Sequence, residues 1–267
     1  MEINIDGVKV NYSKEGKGDY IFILHGWGCD LPTYKMMVDI LKDSYTVVSF
    51  DFPGFGESEE PPVGWDMADY TDFTIKLVDY FKCKKASFIG HSLGTRILIR
   101  MANREKLNFS IEKMVFVAGA GILSKDVEFY LSEYNKFQAK KEQLMRDGKT
   151  KELEKLRKNA EGDYAYLSEV MCKCYVSAVS DDLEWMLPNI TCPTLLIWGE
   201  NDVLTPVDDG KKMEELIPDA GLVLLENADH YPFFDQPYVF KCVLESFFDI
   251  DSVKKRIFKG KNQNYYN

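Results

Sequence analysis

The chain begins with a strict alternation of apolar and polar residues. Ile3 and Ile5 alternate with polar neighbours, and the alternation resumes at Val8 after the pair Asp6-Gly7. A period of two is typical of strands, and Asp-Gly is typical of tight hairpin turns. The pattern therefore predicts an antiparallel hairpin at the N-terminus.

Later apolar runs are short and do not alternate. Such runs are typical of strands that are buried on both faces, as in a parallel sheet. They occur at Tyr20–Leu24, Tyr45–Phe50, Ala86–Gly90, Met114–Ala118, Thr194–Trp198 and Leu222–Leu225.

Amphipathic stretches with helical periodicity separate most of these runs. They occupy Pro32–Leu41, Asp66–Phe81, Leu93–Asn103, Asp208–Ile217 and Pro237–Phe248. Strands that alternate with helices form right-handed crossovers. The order therefore predicts an α/β fold, with a mostly parallel sheet and helices on both faces.

The alternation is interrupted between Ile122 and Leu187. This region is charged, rich in aromatic residues and without a strong strand pattern. Lys140–Asn159 is mostly helical in pattern, with a break near Asp147-Gly148. We predict a helical insertion between two core strands, with core segments 1–121 and 188–253, an insertion at 122–187 and a C-terminal tail at 254–267. Positive and negative charges nearly balance in the insertion, so it does not form a basic patch.

Charge and composition exclude several classes of function. The 267 residues carry a net charge of −10, which argues against nucleic acid or an anionic membrane as the main partner. No apolar stretch is long enough to span a bilayer, and the first residues lack the features of a signal peptide. We therefore expect a cytoplasmic protein that acts on a small molecule. The oligomeric state cannot be read from the sequence, and the basic tail is interpreted as solvated.

The cysteine pattern does not predict a metal site. The six cysteines are scattered, and no second cluster of Cys or His accompanies Cys172-Lys173-Cys174. We interpret all six as reduced thiols.

The strongest chemical signal is Gly90-His91-Ser92-Leu93-Gly94, which matches G-x-S-x-G between a predicted strand and a predicted helix. A serine on so sharp a turn needs glycine on both sides, because the backbone passes close by. The turn places Ser92 at the carboxyl end of the sheet, where open α/β folds carry their sites. Ser92 is the candidate nucleophile.

A serine hydroxyl needs a base, and the chain has three histidines. His91 adjoins Ser92, so its side chain is expected to turn away into packing. His25 ends a core strand beside Gly26. His230 follows the last core strand at the same sheet edge as Ser92, which makes it the candidate base.

The base in turn needs a carboxylate to fix its tautomer. Asp202 follows the penultimate strand at the same edge, so it is the candidate acid. Carboxylates that compete by proximity are Glu200, Asp208, Asp209 and Asp229. Asp208 and Asp209 are expected to begin the next helix instead.

An oxyanion hole needs two backbone donors. One is the N–H of Leu93, the residue after the nucleophile. The other is assigned to Trp27, in the glycine-rich loop after the strand that ends near His25.

Five motifs occur in one order along most of the chain: His25-Gly26-Trp27-Gly28, Asp51-Phe52-Pro53-Gly54-Phe55-Gly56-Glu57-Ser58, Gly90-His91-Ser92-Leu93-Gly94, Gly199-Glu200-Asn201-Asp202 and Asp229-His230. Together they resemble the α/β-hydrolase superfamily, and most closely its capped bacterial esterases, enol-lactonases and carbon–carbon bond hydrolases. The resemblance implies an eight-stranded sheet, a helical lid over Ser92, and neither metal nor organic cofactor.

The same motifs set some relatives aside. Haloalkane dehalogenases and epoxide hydrolases use an aspartate where this chain has Ser92, and proline iminopeptidases usually have tryptophan where it has Leu93. Thr95 replaces a glycine that is frequent in relatives, which is expected to affect helix packing and not the reacting atoms.

These observations predict a serine hydrolase that acts on a small carboxylic ester or thioester. Two alternatives remain open: a carbon–carbon bond hydrolase or lyase with the same triad, and a ligand sensor or partner-binding protein with little turnover. Residues that are candidates to line the substrate pocket, or simply to pack, are His25, Gly26, Cys29, Phe55, Tyr130 and Tyr134.

Overall fold

The computed structural model describes residues 1–123, 125, 127–160 and 163–250. The strands are β1 (Glu2–Ile5), β2 (Val8–Gly16), β3 (Tyr20–Leu24), β4 (Thr46–Phe50), β5 (Lys85–His91), β6 (Ser110–Val117), β7 (Thr194–Gly199) and β8 (Ala220–Leu225). The helices are α1 (Lys35–Leu41), α2 (Met67–Tyr80), α3 (Leu93–Ala102), α4 (Val127–Arg146), α5 (Thr150–Lys158), α6 (Glu169–Ser180), α7 (Val207–Leu216), α8 (Pro232–Asp235) and α9 (Pro237–Phe247). Short 3₁₀ turns lie at Leu31–Tyr34, Asp163–Tyr166 and Glu184–Asn189.

All eight strands join one sheet in the order β1-β2-β4-β3-β5-β6-β7-β8. The predicted hairpin pairs β1 with β2, and β2 runs antiparallel to β4 as well. Every pair from β4 to β8 is parallel. The predicted α/β fold with a mostly parallel sheet is confirmed.

Each central strand buries both of its faces. On β3, Ile21 and Ile23 pack into the core layer that α1 and α9 cover, whereas Phe22 and Leu24 pack into the layer under α2 and α3. Successive side chains of a strand point to opposite faces. This explains why the apolar runs of the sequence are continuous and do not alternate.

Two helix starts show how local chemistry sets element boundaries. Asp66 caps α2, and its carboxylate accepts hydrogen bonds from the backbone N–H groups of Ala68 and Asp69. The helix predicted from Pro32 instead begins as a 3₁₀ turn, because Asp30 caps that turn through the N–H of Thr33. The α-helical part α1 starts only at Lys35.

The insertion is helical, and α4, α5 and α6 make up most of it. Gly148 adopts a φ of 65° between α4 and α5, which places the break where the sequence predicts it. Residues 251–267, and with them the predicted tail at 254–267, lie outside the described residues.

The two parts of the insertion differ in how they are attached. Met171 of α6 lies against Gly54, and Arg100 of α3 forms a two-point ion pair with Asp181 directly after α6. In contrast, α5 has no fully buried side chain. The helix α6 is therefore attached to the core, whereas the α4–α5 hairpin packs on α6 and on the Asp163–Tyr166 turn.

Within the described ranges, no helix combines the length and the apolar character that crossing a membrane requires.

Candidate active site

Ser92 lies on a strained turn between β5 and α3. Its φ of 49° belongs to the left-handed region, which a residue with a side chain adopts only at a cost. A Cβ atom on Gly94 would lie 2.3 Å from the Leu24 carbonyl oxygen, and one on Gly90 would lie 2.9 Å from the Thr95 nitrogen. The glycines on both sides therefore allow α3 to pass directly over β3 and β5.

Asp202 and His230 meet at the carboxyl edge of the sheet. His230 Nδ1 lies 2.9 Å from Asp202 Oδ2, and both side chains are buried. The other carboxylate oxygen accepts the N–H groups of Leu204 (2.9 Å) and Thr205 (3.0 Å). Burial works to raise the pKa of Asp202, but the hydrogen bonds from His230 and Thr205 outweigh it and hold the pKa below its ordinary value.

Thr205 is a member of this cluster that sequence reasoning missed. Its hydroxyl lies 2.8 Å from Asp202 Oδ2, 3.1 Å from the Ala118 carbonyl oxygen and 3.3 Å from His230 Nδ1. A signal was present, because Asp followed by Thr three residues later is a common turn that the Asp side chain closes. The indole N–H of Trp198 fixes the same turn by donating to the Thr205 carbonyl at 2.8 Å.

The competing carboxylates have other environments. Asp208 and Asp209 lie in the first turn of α7, as predicted. Burial raises the pKa of Asp209 to about 6. Asp229 accepts the backbone N–H of His230 at 2.8 Å, and Glu200 is exposed.

His25 is buried, and its two ring nitrogens hydrogen-bond to two backbone groups. Its Nε2 accepts the Phe52 N–H at 2.7 Å, so its Nδ1 carries the proton and donates to the Gly26 carbonyl at 2.7 Å. Burial lowers the pKa of His25 to about 4, and the ring is neutral at pH 7.

His91 is turned into packing, as predicted from its place beside Ser92. Tyr34 Oη lies 2.7 Å from its Nδ1, and the His230 carbonyl lies 2.9 Å from its Nε2. Burial, followed by the nearby His230, lowers the pKa of His91 to about 3.

The loop after β3 lies against the nucleophile turn. A Cβ atom on Gly26 would be 3.3 Å from Ser92 Cβ, and Trp27 follows directly. Leu93 is the first residue of α3, where backbone N–H groups have no partner within the helix. One predicted donor residue, Leu93, therefore follows Ser92 directly, and the other, Trp27, follows a glycine that lies against it.

The candidate pocket residues are placed differently from one another. Cys29 and Phe55 are buried, and the Phe55 ring packs on Trp27 with ring centroids 4.9 Å apart. Tyr134 packs into the small core of the insertion, whereas Tyr130 is 54% exposed. Trp27 also contacts Tyr175 of α6, with ring centroids 5.3 Å apart, and this contact joins the predicted donor loop to the insertion. Lining of a pocket by these residues stays a prediction.

A groove of about 750 Å³ lies elsewhere, between β2 and α1. Asp51 on its wall already accepts hydrogen bonds from Asn11, Leu31 and Glu57. None of Ser92, Asp202 and His230 lines it. Among the described residues, no group of three or more His, Cys, Asp or Glu side chains is arranged to hold a metal ion.

Comparison with known proteins agrees with the fold. The model of the alpha/beta hydrolase family matches residues 21–240. The chain belongs to the alpha/beta hydrolase family.

This alpha/beta hydrolase has curated relatives that cover most of its length. It is 25% identical over 255 residues to an uncharacterized hydrolase of Bacillus subtilis, covering 85% of this chain and 89% of that one. It is 24% identical over 247 residues to the pimeloyl-[acyl-carrier protein] methyl ester esterase of Legionella pneumophila, covering 90% of this chain and 99% of that one.

Solved structures share the fold of this alpha/beta hydrolase. A thermophilic esterase from Thermogutta terrifontis superposes with a TM-score of 0.73 at 19% identity, covering 93% of this chain and 98% of the other. The enol-lactonase from Burkholderia xenovorans superposes with a TM-score of 0.73 at 21% identity, covering 93% and 100%. The resemblance inferred from the five motifs is confirmed at the level of the superfamily.

Proposed function

We propose that this hydrolase cleaves a small carboxylic ester or thioester through an acyl-enzyme, with Ser92 as nucleophile, His230 as base and Asp202 as the carboxylate that orients the base. The observation that carries the proposal is the buried hydrogen bond of 2.9 Å between His230 Nδ1 and Asp202 Oδ2. It lies at the same sheet edge as the strained Ser92 turn.

The hydrogen bond determines the tautomer of the base. A carboxylate only accepts, so Nδ1 of His230 carries the proton and Nε2 keeps its lone pair. In this state Nε2 accepts the proton of Ser92 Oγ as the oxygen attacks the carbonyl carbon, and later returns a proton to the leaving group. The Ser92 hydroxyl has no hydrogen bond within the described part of the chain, so we propose that its contact with His230 forms when substrate binds.

The tetrahedral oxyanion would be held by the backbone N–H groups of Leu93 and Trp27. The position of Leu93 at the N-terminus of α3 supports this role, because the helix dipole favours negative charge there. The closeness of Gly26 to Ser92 supports the role of Trp27. Loss of one such donor lowers rates by about 10²–10³.

The substrate class is proposed from two observations. The Legionella relative is named for hydrolysis of a methyl ester, which supports an ester as substrate of this chain. The aromatic contacts that join Trp27, Phe55 and Tyr175 near Ser92 support an apolar acyl or alcohol group under a lid formed by the insertion.

A fluorophosphonate probe followed by peptide mass spectrometry tests the nucleophile. We expect labelling of wild-type protein at Ser92 and none in Ser92→Ala. Ser110→Ala is the matched control, because Ser110 is exposed at the opposite end of the sheet, and it should label like wild type. Asp202→Asn should slow labelling by about 10³–10⁴.

A panel of nitrophenyl esters, acyl thioesters and β-diketones then identifies the bond that is cleaved. Turnover of esters or thioesters is expected. Labelling that persists in Ser92→Ala would contradict the assignment of the nucleophile. Folded wild-type protein without labelling would favour a ligand-binding role, and turnover of β-diketones alone would favour carbon–carbon hydrolysis.

A further inference from the structure

The turn beside the nucleophile carries a buried chain of three hydrogen bonds. The Gly26 N–H donates to Tyr34 Oη at 2.9 Å, Tyr34 Oη lies 2.7 Å from His91 Nδ1, and His91 Nε2 lies 2.9 Å from the His230 carbonyl oxygen. Tyr34 and His91 are each 1% exposed.

The direction of every bond in this chain follows from donor chemistry. A backbone N–H only donates and a backbone carbonyl only accepts. Tyr34 Oη therefore accepts from Gly26, and His91 Nε2 donates its proton to the His230 carbonyl. Burial keeps the His91 ring neutral, so its Nδ1 carries no proton and accepts the hydroxyl proton of Tyr34.

The chain of hydrogen bonds connects the three parts of the proposed site. Gly26 precedes Trp27, the proposed oxyanion donor, and His91 precedes Ser92. His230 is the proposed base. The three loops follow separate strands, β3, β5 and β8, and this chain of hydrogen bonds links them directly to one another.

We infer that Tyr34 and His91 form a positioning pair that sets the oxyanion loop and the base loop at fixed distances from the nucleophile. The inference rests on the proposed function, because it gives the pair a role in ester cleavage. Neither side chain exchanges a proton with the substrate in this role, and the His91 ring also packs against the His230 ring with centroids 4.9 Å apart. They act through the backbone of residues 26, 91 and 230.

The size of the effect follows from the precision that catalysis demands. A displacement of about 1 Å at a reacting group lowers the reaction rate by about 10²-fold. Tyr34→Phe removes only the hydroxyl, which leaves the Gly26 N–H and His91 Nδ1 without their partner. We expect kcat to fall by about 10- to 100-fold, with KM changed by less than about threefold, because orientation in the transition state is lost and substrate binding is retained.

Tyr45→Phe is the matched control. Tyr45 donates its hydroxyl to the Phe248 carbonyl at 2.7 Å, at the opposite end of the sheet from Ser92. Its removal costs one tyrosine hydrogen bond without touching the site, so the thermal midpoint should fall while kcat and KM stay at wild-type values.

A second measurement examines the chain of hydrogen bonds in the wild-type protein. Two-dimensional ¹⁵N–¹H NMR of the imidazole rings should show His91 as the neutral Nε2–H tautomer from pH 8 down to about pH 5. An Nδ1–H tautomer would overturn the inference whether or not the variants fold.

The outcomes separate this inference from the proposed function. If wild-type protein neither labels at Ser92 nor cleaves esters, the proposed function fails and the role of the pair fails with it. If wild-type protein is active and Tyr34→Phe keeps wild-type kcat while losing only thermal stability, as Tyr45→Phe does, the pair is structural and the inference alone is overturned. A loss of kcat in Tyr34→Phe that exceeds the loss in Tyr45→Phe supports it.

Discussion

At the residue scale, one hydroxyl group organises the acid of the candidate triad. Thr205 lies within hydrogen-bond distance of Asp202, His230 and the Ala118 carbonyl, yet it has a single proton to donate. Because the carboxylate is charged and nearest, we expect the Thr205 hydroxyl to donate its proton to Asp202 Oδ2. Thr205 then shares with His230 the task of keeping Asp202 ionised.

Thr205→Val replaces the hydroxyl with a methyl group of similar size. We expect kcat/KM to fall about tenfold and the free energy of unfolding to fall by about 1–2 kcal/mol, because one buried hydrogen bond is lost. The pKa of folded Asp202 lies below its unfolded value, so this stabilisation is present above pH 4 and is lost as the pH falls through the folded pKa. Urea unfolding and ester kinetics at several pH values measure both effects.

Thr205→Ser is the control for this substitution, since serine keeps the hydroxyl. It should retain most of the activity and most of the pH dependence. A loss in Thr205→Ser as large as that in Thr205→Val would assign the effect to packing of the methyl group.

At the element scale, the site depends on how closely α3 approaches the sheet. Gly94 leaves room for the Leu24 carbonyl, which a Cβ atom would meet at 2.3 Å. This contact is with backbone, so it cannot be relieved by a change of rotamer. The position of Ser92 above the sheet is therefore coupled to the absence of a side chain two residues later.

Gly94→Ala should lower the free energy of unfolding by about 3 kcal/mol, because α3 must move away from β3 to accept the added methyl group. The matched control is Gly221→Ala in β8, where no atom lies within 4 Å of the added Cβ and φ is not positive. It should change stability by less than about 1 kcal/mol. Equal effects of both substitutions in urea unfolding would contradict the steric argument.

The insertion contains elements of unequal stability. Because α5 buries no side chain completely and Gly148 interrupts the helix before it, we expect the α4–α5 hairpin to unfold locally before the core unfolds. Among sites between residues 1 and 250, limited trypsin digestion should cleave first after Arg146, Lys149 or Lys151. Peptide mass spectrometry over a time course identifies the site, and first cleavage after Lys17 or Arg104 in the core would contradict this expectation.

At the scale of the whole molecule, two buried histidines and the half-buried Asp209 link stability to pH. The folded pKa values of His25 and His91, about 4 and about 3, lie below the ordinary value of 6.5. Their neutral forms favour folding, and this contribution is lost as the pH falls below 6.5. Asp209 acts in the opposite direction, because its folded pKa of about 6 lies above its ordinary value. As the pH falls, the carboxyl of the folded state binds a proton before that of the unfolded state does, and this favours folding.

Together, these groups predict that the free energy of unfolding decreases as the pH falls. Each proton taken up on unfolding contributes a slope of about 1.4 kcal/mol per pH unit. The two histidines predict that stability falls with pH between pH 5.5 and 4.5, and proton uptake by the half-exposed Asp209 offsets part of this loss. Asp209→Asn removes the opposing group and should steepen the slope. Urea unfolding across this range measures both slopes, and equal slopes would contradict the assignment.

Much of the fold and of the candidate site could be predicted from local pattern. The hairpin at Asp6-Gly7, the capped start of α2 at Asp66 and the break at Gly148 lie where the sequence places them. Each strand overlaps its predicted run, although β6 begins at Ser110 and not at Met114. Each depends on periodicity or on the conformational preference of one residue. The start of α1 differed by three residues, because Asp30 capped a 3₁₀ turn that periodicity does not distinguish from an α-helix.

The sequence by itself determined the order of the elements and the types of residue at the carboxyl edge of the sheet, because hydrophobic period and motif spacing are local properties. Only the tertiary structure decided that Thr205 also reaches the Ala118 carbonyl, and which partners hydrogen-bond to His91. Thr205 meets Ala118 across 87 positions of the chain, and Tyr34 meets His91 across 57. Contacts over such distances arise from the crossing of strands and helices, and no local pattern encodes them.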